Sequence, residues 1–260
     1  MKLSDIQLKQ FEEDGFLLLS AFADTELCDT IKDIASAHLK HQVPPIETEF
    51  EYVGKSKEDR ERISDAHSEQ REKRMVVRRL RQVYHRDMVF KQWMENEKIR
   101  PVLKQILGEN PTITIAHHNS IMTKMPHSST ATSWHQDFRY WNFESDNLVS
   151  VWLALDSEND ENGVLEFIPG SHKMDFSASQ FDEKEYFSEE KSENAEIIAK
   201  KVSYELQKGD VVLFHCKLLH RANRNATDEA KISFVYTVKG CTNTALEGTR
   251  STEYNEVKLG

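Results

Sequence analysis

The apolar residues of this chain repeat with two different periods, and the change comes near Pro111. Upstream, Ser4 is followed three residues later by Gln7, Ile6, Leu8 and Phe11 are apolar, and Gly15 is a stop. That pattern predicts a short capped helix. The run Phe16-Leu17-Leu18-Leu19 predicts a buried strand, and Asp24 can cap a second helix with Leu27, Ile31 and Ile34 on one stripe. Between Val83 and Leu107 the apolar residues recur at near-helical spacing, broken at Pro101 and closed by Gly108. Downstream the apolar segments are short and alternate or run continuously, at 112–115, 149–155, 164–168, 211–214 and 232–238. Turn signals at Asn162-Gly163, Pro169-Gly170 and Lys208-Gly209-Asp210 separate them. Their intervals suit an antiparallel barrel or double sheet better than βαβ units. The predicted fold is mostly β with flanking helices. A helical scaffold over about 1–110 and a jelly-roll core over about 111–245 together make one domain of residues 1–260.

Two stretches depart from this pattern. In 56–74, twelve of nineteen residues are charged with both signs mixed, which predicts a solvated helix or mobile loop. In 182–196, seven acidic residues and two lysines predict a surface insertion, a solvated loop in preference to a lid that orders on binding. Over the whole chain, 34 Lys and Arg against 44 Asp and Glu give a net charge of −10, which disfavours nucleic acid as a partner. The apolar runs are far short of the roughly 20 residues that span a bilayer. The opening Met1-Lys2-Leu3-Ser4-Asp5 lacks a secretory pattern, so a cytoplasmic location without a membrane partner is expected. Cys28, Cys216 and Cys241 are widely spaced and odd in number, as ordinary reduced thiols are.

The chemistry centres on Trp134-His135-Gln136-Asp137. On a strand, residues i and i+2 share a face, so His135 and Asp137 can reach one metal ion. Two histidines and a carboxylate with open positions form the facial triad of non-heme iron(II) oxygenases. A second His-x-Asp pair, His85-Arg86-Asp87, opens a helical pattern in which i and i+2 diverge, and reads as helix surface. His172, His215 and His220 are candidates for the third ligand. His220 is favoured because it stands where an apolar strand gives way to a polar run, whereas His172 sits beside a turn. His117 and His118 are expected to point to opposite faces of a strand.

The run from Trp134 to Asp137 is one of four ordered motifs that resemble the phytanoyl-CoA dioxygenase family. The others are Val151-Trp152-Leu153-Ala154-Leu155-Asp156, the stretch from Asn162 to Lys173, and the segment from Gly209 to His220. Asp14-Gly15-Phe16 is similar to that family's N-terminus. The resemblance implies a cupin-like double-stranded β-helix, iron(II) bound by His135, Asp137 and His220, 2-oxoglutarate as co-substrate, and O2. It implies hydroxylation of a C–H bond coupled to decarboxylation of 2-oxoglutarate, with Asp137 distinguishing the chain from related halogenases. It also implies that the residue eleven positions after His220 grips the distal carboxylate of 2-oxoglutarate. That residue is Lys231, where the family usually has arginine, so a point charge replaces a bidentate fork. Ser233 shares the strand face of Lys231, while Ile232, Phe234 and Tyr236 face the other way. Trp152 corresponds to a tryptophan of the co-substrate pocket, and Ser120 and Arg81 fall near further contacts.

The run Phe138-Arg139-Tyr140-Trp141 with Phe143 reads equally as core or as an aromatic wall with one cation, suited to a small-molecule substrate bearing an acid group. The family name is not evidence for a fatty acyl-CoA. The rival reading is a jelly-roll metal-binding protein, sensor or isomerase that does not use 2-oxoglutarate. The environment of Lys231 discriminates between the two. Oligomeric state is not encoded in any of these features.

Overall fold

The computed structural model describes residues 1–53 and 76–260; the charged stretch at 56–74 lies outside the described residues. Helix α1, Asp5–Asp14, opens with a capping box between Ser4 and Gln7 and ends at Gly15, whose φ of 82° lies in the left-handed region. A side chain at Gly15 would also collide with the His172 ring. Strand β1, Phe16–Leu19, and helix α2, Thr25–Lys40, follow, and the Asp24 carboxylate caps α2 by accepting from Glu26 N–H. Next come β2, Ile46–Thr48, α3, Glu49–Val53, and β3, Val77–Arg81. In the predicted helical region a single 3-10 turn precedes α4, Met88–Met94, and α5, Arg100–Leu107. The break falls between the two helices, and Pro101 sits in the first turn of α5, where its missing N–H costs nothing. Asp87 of the second His-x-Asp pair caps α4 through Val89 N–H.

The remaining strands are β4, Pro111–Ile113, β5, Asn119–Lys124, β6, Thr132–His135, β7, Leu148–Ala154, β8, Leu165–Phe167, β9, Val202–Ser203, β10, Val211–His215, β11, His220–Ala222, β12, Lys231–Gly240, and β13, Val257–Lys258. A major sheet runs β1-β10-β7-β12-β5-β3-β2, with β4 and β13 beyond β12, and a minor sheet runs β6-β11-β8-β9. From β5 to β8, and again from β10 to β12, consecutive strands alternate between the sheets, which is the winding of the double-stranded β-helix. All pairings are antiparallel.

Both faces of the major sheet are covered, so β7 and β12 are buried at every position. One face, with Val149, Val151, Leu153, Leu213, Phe234 and Tyr236, packs on the helices. The other, with Trp152, Ala154, Val212, Phe214 and Val235, packs inward against Leu165 and Phe167 of the minor sheet. Polar residues on the inner face are thus carried into the interior by strand alternation. Among the described residues, no helix is long and apolar enough to cross a membrane.

The segment 182–196 is largely exposed, as expected of a surface insertion, but it is pinned to the fold at two buried points. Phe187 is buried against Phe176 and Phe181 beside Trp134, Asn194 is fully buried, and a short helix α6, Ala195–Ile198, follows. The acidic composition hid two aromatic anchors, Tyr186 and Phe187.

Candidate functional site

His135 ends β6 and His220 begins β11, and the two are direct cross-strand partners with ring centroids 4.1 Å apart. Asp137 is not on a strand, as the spacing argument assumed. The chain turns after His135 into a 3-10 turn, Asp137–Tyr140, which brings the carboxylate back to the same point. Gln136 holds this turn by donating to Lys217 O at 2.5 Å, and Phe138 N–H donates to Cys216 O at 3.0 Å. The Asp137 Oδ1 atom lies 3.6 Å from His135 Nε2 and 3.8 Å from His220 Nε2. One ligand atom from each residue falls within 4.8 Å of the other two, the grouping among the described residues that could hold a metal ion.

The hydrogen bonds fix which atoms are available. His135 Nδ1 donates to Ser133 O and His220 Nδ1 donates to Leu218 O, each at 2.9 Å, so both Nε2 atoms present lone pairs. Burial pushes both imidazoles down to about 4 and keeps them neutral near pH 7. Ser150 Oγ donates to Asp137 Oδ2 at 3.2 Å. Two neutral imidazoles and a carboxylate, with their other polar atoms tied to the scaffold, fit the donor set of a divalent iron site.

His172 and His215 are excluded from this point. His215 shares the outward face of β10 with Val211 and Leu213, and its ring packs on His172 at 5.1 Å. His172 Nε2 bonds Glu12 O at 3.1 Å. His117 and His118 correct another expectation: they lie in the turn before β5, and both line one cavity. His118 Nε2 is 3.5 Å from Asp137 Oδ1, a neighbour that the strand reading of this segment concealed.

Two cavities meet at the triad and share His118, Met122, Thr132 and His135. The inner one, about 610 Å³ including its open mouth, reaches between the sheets past Met122, Lys124, Trp152, Leu165, Phe214 and Lys231. The outer one, about 820 Å³ on the same measure, is walled by Tyr52, Arg79, Tyr140, Trp141, Tyr186 and Arg250. The aromatic run is therefore split. Tyr140 and Trp141 face the cavity, while Phe138 and Phe143 pack around Cys216. Arg139 is drawn off by Glu185, with its guanidinium 3.6 Å above the Phe181 ring. The cations of the outer cavity are Arg79 and Arg250 instead.

The other predicted contacts divide in the same way. Lys231 and Trp152 line the inner cavity, and Ser233 is buried beside them. All three bind the carboxylate of Glu158, which sequence reasoning missed. Lys231 Nζ donates to Glu158 Oε2 at 2.9 Å and to Gly163 O at 2.6 Å, Ser233 Oγ donates to Oε1 at 2.6 Å, and Trp152 Nε1 donates at 3.1 Å. Glu158 is fully buried because its backbone forms a two-way bridge with Leu206. Ser120 is buried on β5 opposite Val235, and Arg81 lies on β3; neither lines the two cavities.

Residues 11–233 match the family described as phytanoyl-CoA dioxygenase. A probable alpha-ketoglutarate-dependent hypophosphite dioxygenase of Stutzerimonas stutzeri is 35% identical over 80 residues, which are 31% of this chain and 27% of that protein's length. A phytanoyl-CoA dioxygenase domain-containing protein 1 of Rattus norvegicus is 23% identical over 264 residues, covering 90% of this chain and 89% of that protein. Among solved structures, the epimerase SnoN in complex with Fe3+, alpha ketoglutarate and nogalamycin RO superposes with a TM-score of 0.72 at 17% identity, over 97% of this chain and 93% of that one.

Proposed function

The chain belongs to the phytanoyl-CoA dioxygenase family, and from that premise we propose that it is an iron(II)- and 2-oxoglutarate-dependent oxygenase that hydroxylates a C–H bond of a small molecule. The observation that carries this reading is the convergence of His135 Nε2, His220 Nε2 and Asp137 Oδ1, with both Nδ1 atoms committed to backbone carbonyls. These three residues would hold the metal, which when bound supplies the oxidative chemistry that couples co-substrate decarboxylation by O2 to attack on the substrate.

The chain's own residues do the positioning. Ser133 O and Leu218 O keep the imidazoles in the ligating tautomer, and Ser150 keeps the carboxylate from rotating. The apolar lining of the inner cavity, Leu165, Phe214 and Val235, excludes water around the co-substrate. The outer cavity would receive the substrate, with Tyr140 and Trp141 as flat walls and Arg250 available to an acidic group, whereas Arg79 is ion-paired to Glu47 at 2.5 Å. The structural resemblance to an epimerase of the same fold makes product identity part of the test.

Anaerobic titration of the metal-free protein with iron(II) and then 2-oxoglutarate is expected to produce a visible charge-transfer band, absent in His135→Ala and Asp137→Ala. Mass spectrometry of the product should then show one added oxygen atom. A full-strength band in either variant would overturn the ligand assignment. Bound iron without any band in the wild-type protein would favour the metal-binding reading that does not use 2-oxoglutarate.

A further inference from the structure

The inner cavity holds a charge surplus that the predicted anchor does not account for. Lys124 and Lys231 are direct register partners across β5 and β12 and enter the cavity side by side. They converge on Gly163: its carbonyl accepts from Lys231, and a side chain there would meet Lys124 Cδ at 3.0 Å. Yet their partners differ. Lys231 is ion-paired to Glu158, with 3% and 0% of the two side chains exposed. Lys124 is also buried, and its ammonium has one hydrogen-bond acceptor among the described residues, Thr130 O at 3.1 Å, with no carboxylate within 4.0 Å. The charged groups that act on it are Lys231, Arg78, Glu49 and Glu158. Arg78 is spent on Glu49, as Lys231 is on Glu158. Counting Lys124 itself, three buried cations face two buried carboxylates, and one further carboxylate would balance them.

We propose that Lys124, rather than Lys231, receives the distal carboxylate of the 2-oxo acid co-substrate, and that Lys231 and Glu158 form an internal ion pair that takes no part in binding it. This rests on the functional reading above. An ammonium has three donors, and Lys124 spends one on Thr130 O, so two remain for a carboxylate. Burial, with Lys231 and Arg78 close by, pulls the Lys124 ammonium down to about 7, and an incoming carboxylate would restore its charge. The arginine-to-lysine change at 231 is explained by the same arrangement. A lysine reaches Glu158 and Gly163 O as a point donor, whereas an arginine fork would need a second planar acceptor.

The test is a ligand-by-variant cycle on the iron(II)-loaded protein under anaerobic conditions, read by calorimetry and by the visible band. The ligands are 2-oxoglutarate and 2-oxopentanoate, which has the same chain length but ends in a methyl group. Lys124→Met should weaken 2-oxoglutarate by about 10- to 100-fold and 2-oxopentanoate by less than about threefold. Lys124→Gln should repeat this selectivity. The ratio of the two ligands within one variant does not depend on what fraction of it is folded. Glu158→Gln, which releases Lys231, should change 2-oxoglutarate affinity by less than about threefold. The inference is overturned if Lys124→Met weakens both ligands alike or neither, or if Glu158→Gln tightens 2-oxoglutarate tenfold. If the wild-type protein binds iron but neither 2-oxo acid, the functional reading itself fails.

Discussion

The two ends of the inner cavity use their polar atoms in opposite ways. At the metal end, hydrogen bonds consume what the ligands do not need, namely both Nδ1 atoms and Asp137 Oδ2, and leave the two Nε2 atoms and Oδ1 unspent. At the far end, Lys231, Ser233 and Trp152 also point inward, but their donors are already taken by Glu158. Strand alternation explains why five of the six side chains arrive in the interior, and the 3-10 turn brings in the sixth, Asp137. Neither says whether they arrive free. What a site can bind is what remains after internal partners are served, and at the far end the remainder belongs to Lys124.

Removing one member of the buried pair is the strongest way to break this contrast. Lys231→Met leaves the Glu158 carboxylate buried with only the Ser233 and Trp152 donors. That should cost about 3–5 kcal/mol. At about 2–4 °C per kcal/mol, Tm should fall by roughly 6–20 °C in calorimetry of the metal-free protein. Pairing the change with Glu158→Leu should recover most of the loss, because no charge is then left unpaired. A Tm within about 2 °C of wild type for Lys231→Met alone would mean that the pair is not an internal counterion system.

This division marks how far the sequence was readable. The change of period at Pro111, the capped opening helix and the alternation along β12 are local properties, so Lys231 and Ser233 were assigned to the inner face and Phe234 and Tyr236 to the outer one. His220 could be favoured for the same reason. Asp137 does converge with His135 and His220, but not on the strand that the spacing argument assumed, since a strand and a strand followed by a 3-10 turn both return residue i+2 to one point. Glu158 was not legible. It lies in a polar loop that reads as solvated, and only the bridge to Leu206, far along the chain, carries it inside. Lys124 depended on knowing the register between β5 and β12, a long-range property. Tyr186 was masked by the acidic residues around it.

Ser150→Ala probes the metal end more gently. The hydroxyl touches Asp137 on the oxygen that is turned away from the two imidazoles, so its loss frees the carboxylate to rotate without removing a ligand. Iron(II) affinity, measured by competition with a chelator, should fall about tenfold, the lower part of the range for groups that orient metal ligands. The ratio of 2-oxoglutarate to 2-oxopentanoate affinity should not change, because the carboxylate anchor lies at the other end of the cavity. A changed ratio would mean that the two ends are coupled.

The smallest effect separates the histidine that joins the His135–Asp137 group from the one that only shares its segment. His220 Nδ1 donates to Leu218 O, whereas His215 Nδ1 accepts from Lys217 N–H at 3.1 Å. The tautomers are therefore opposite, and His215 carries its proton on Nε2, where a metal ligand would need a lone pair. Burial, reinforced by neighbouring His172, pushes His215 down to about 4 from 6.5. A histidine whose pKa is lower in the folded state binds its proton more readily when unfolded. Its contribution is fully present above 6.5 and is lost as pH falls toward 4. His215→Asn keeps an acceptor for Lys217 N–H but cannot be charged, so the stability gap between it and the wild-type protein should close by about 1 kcal/mol between pH 7 and pH 5.5. Thermal melts of the two metal-free proteins across that range check this. A gap that stays constant would show that His215 takes up a proton as easily in the fold as in the unfolded chain, and the buried, neutral environment assigned to it would fall.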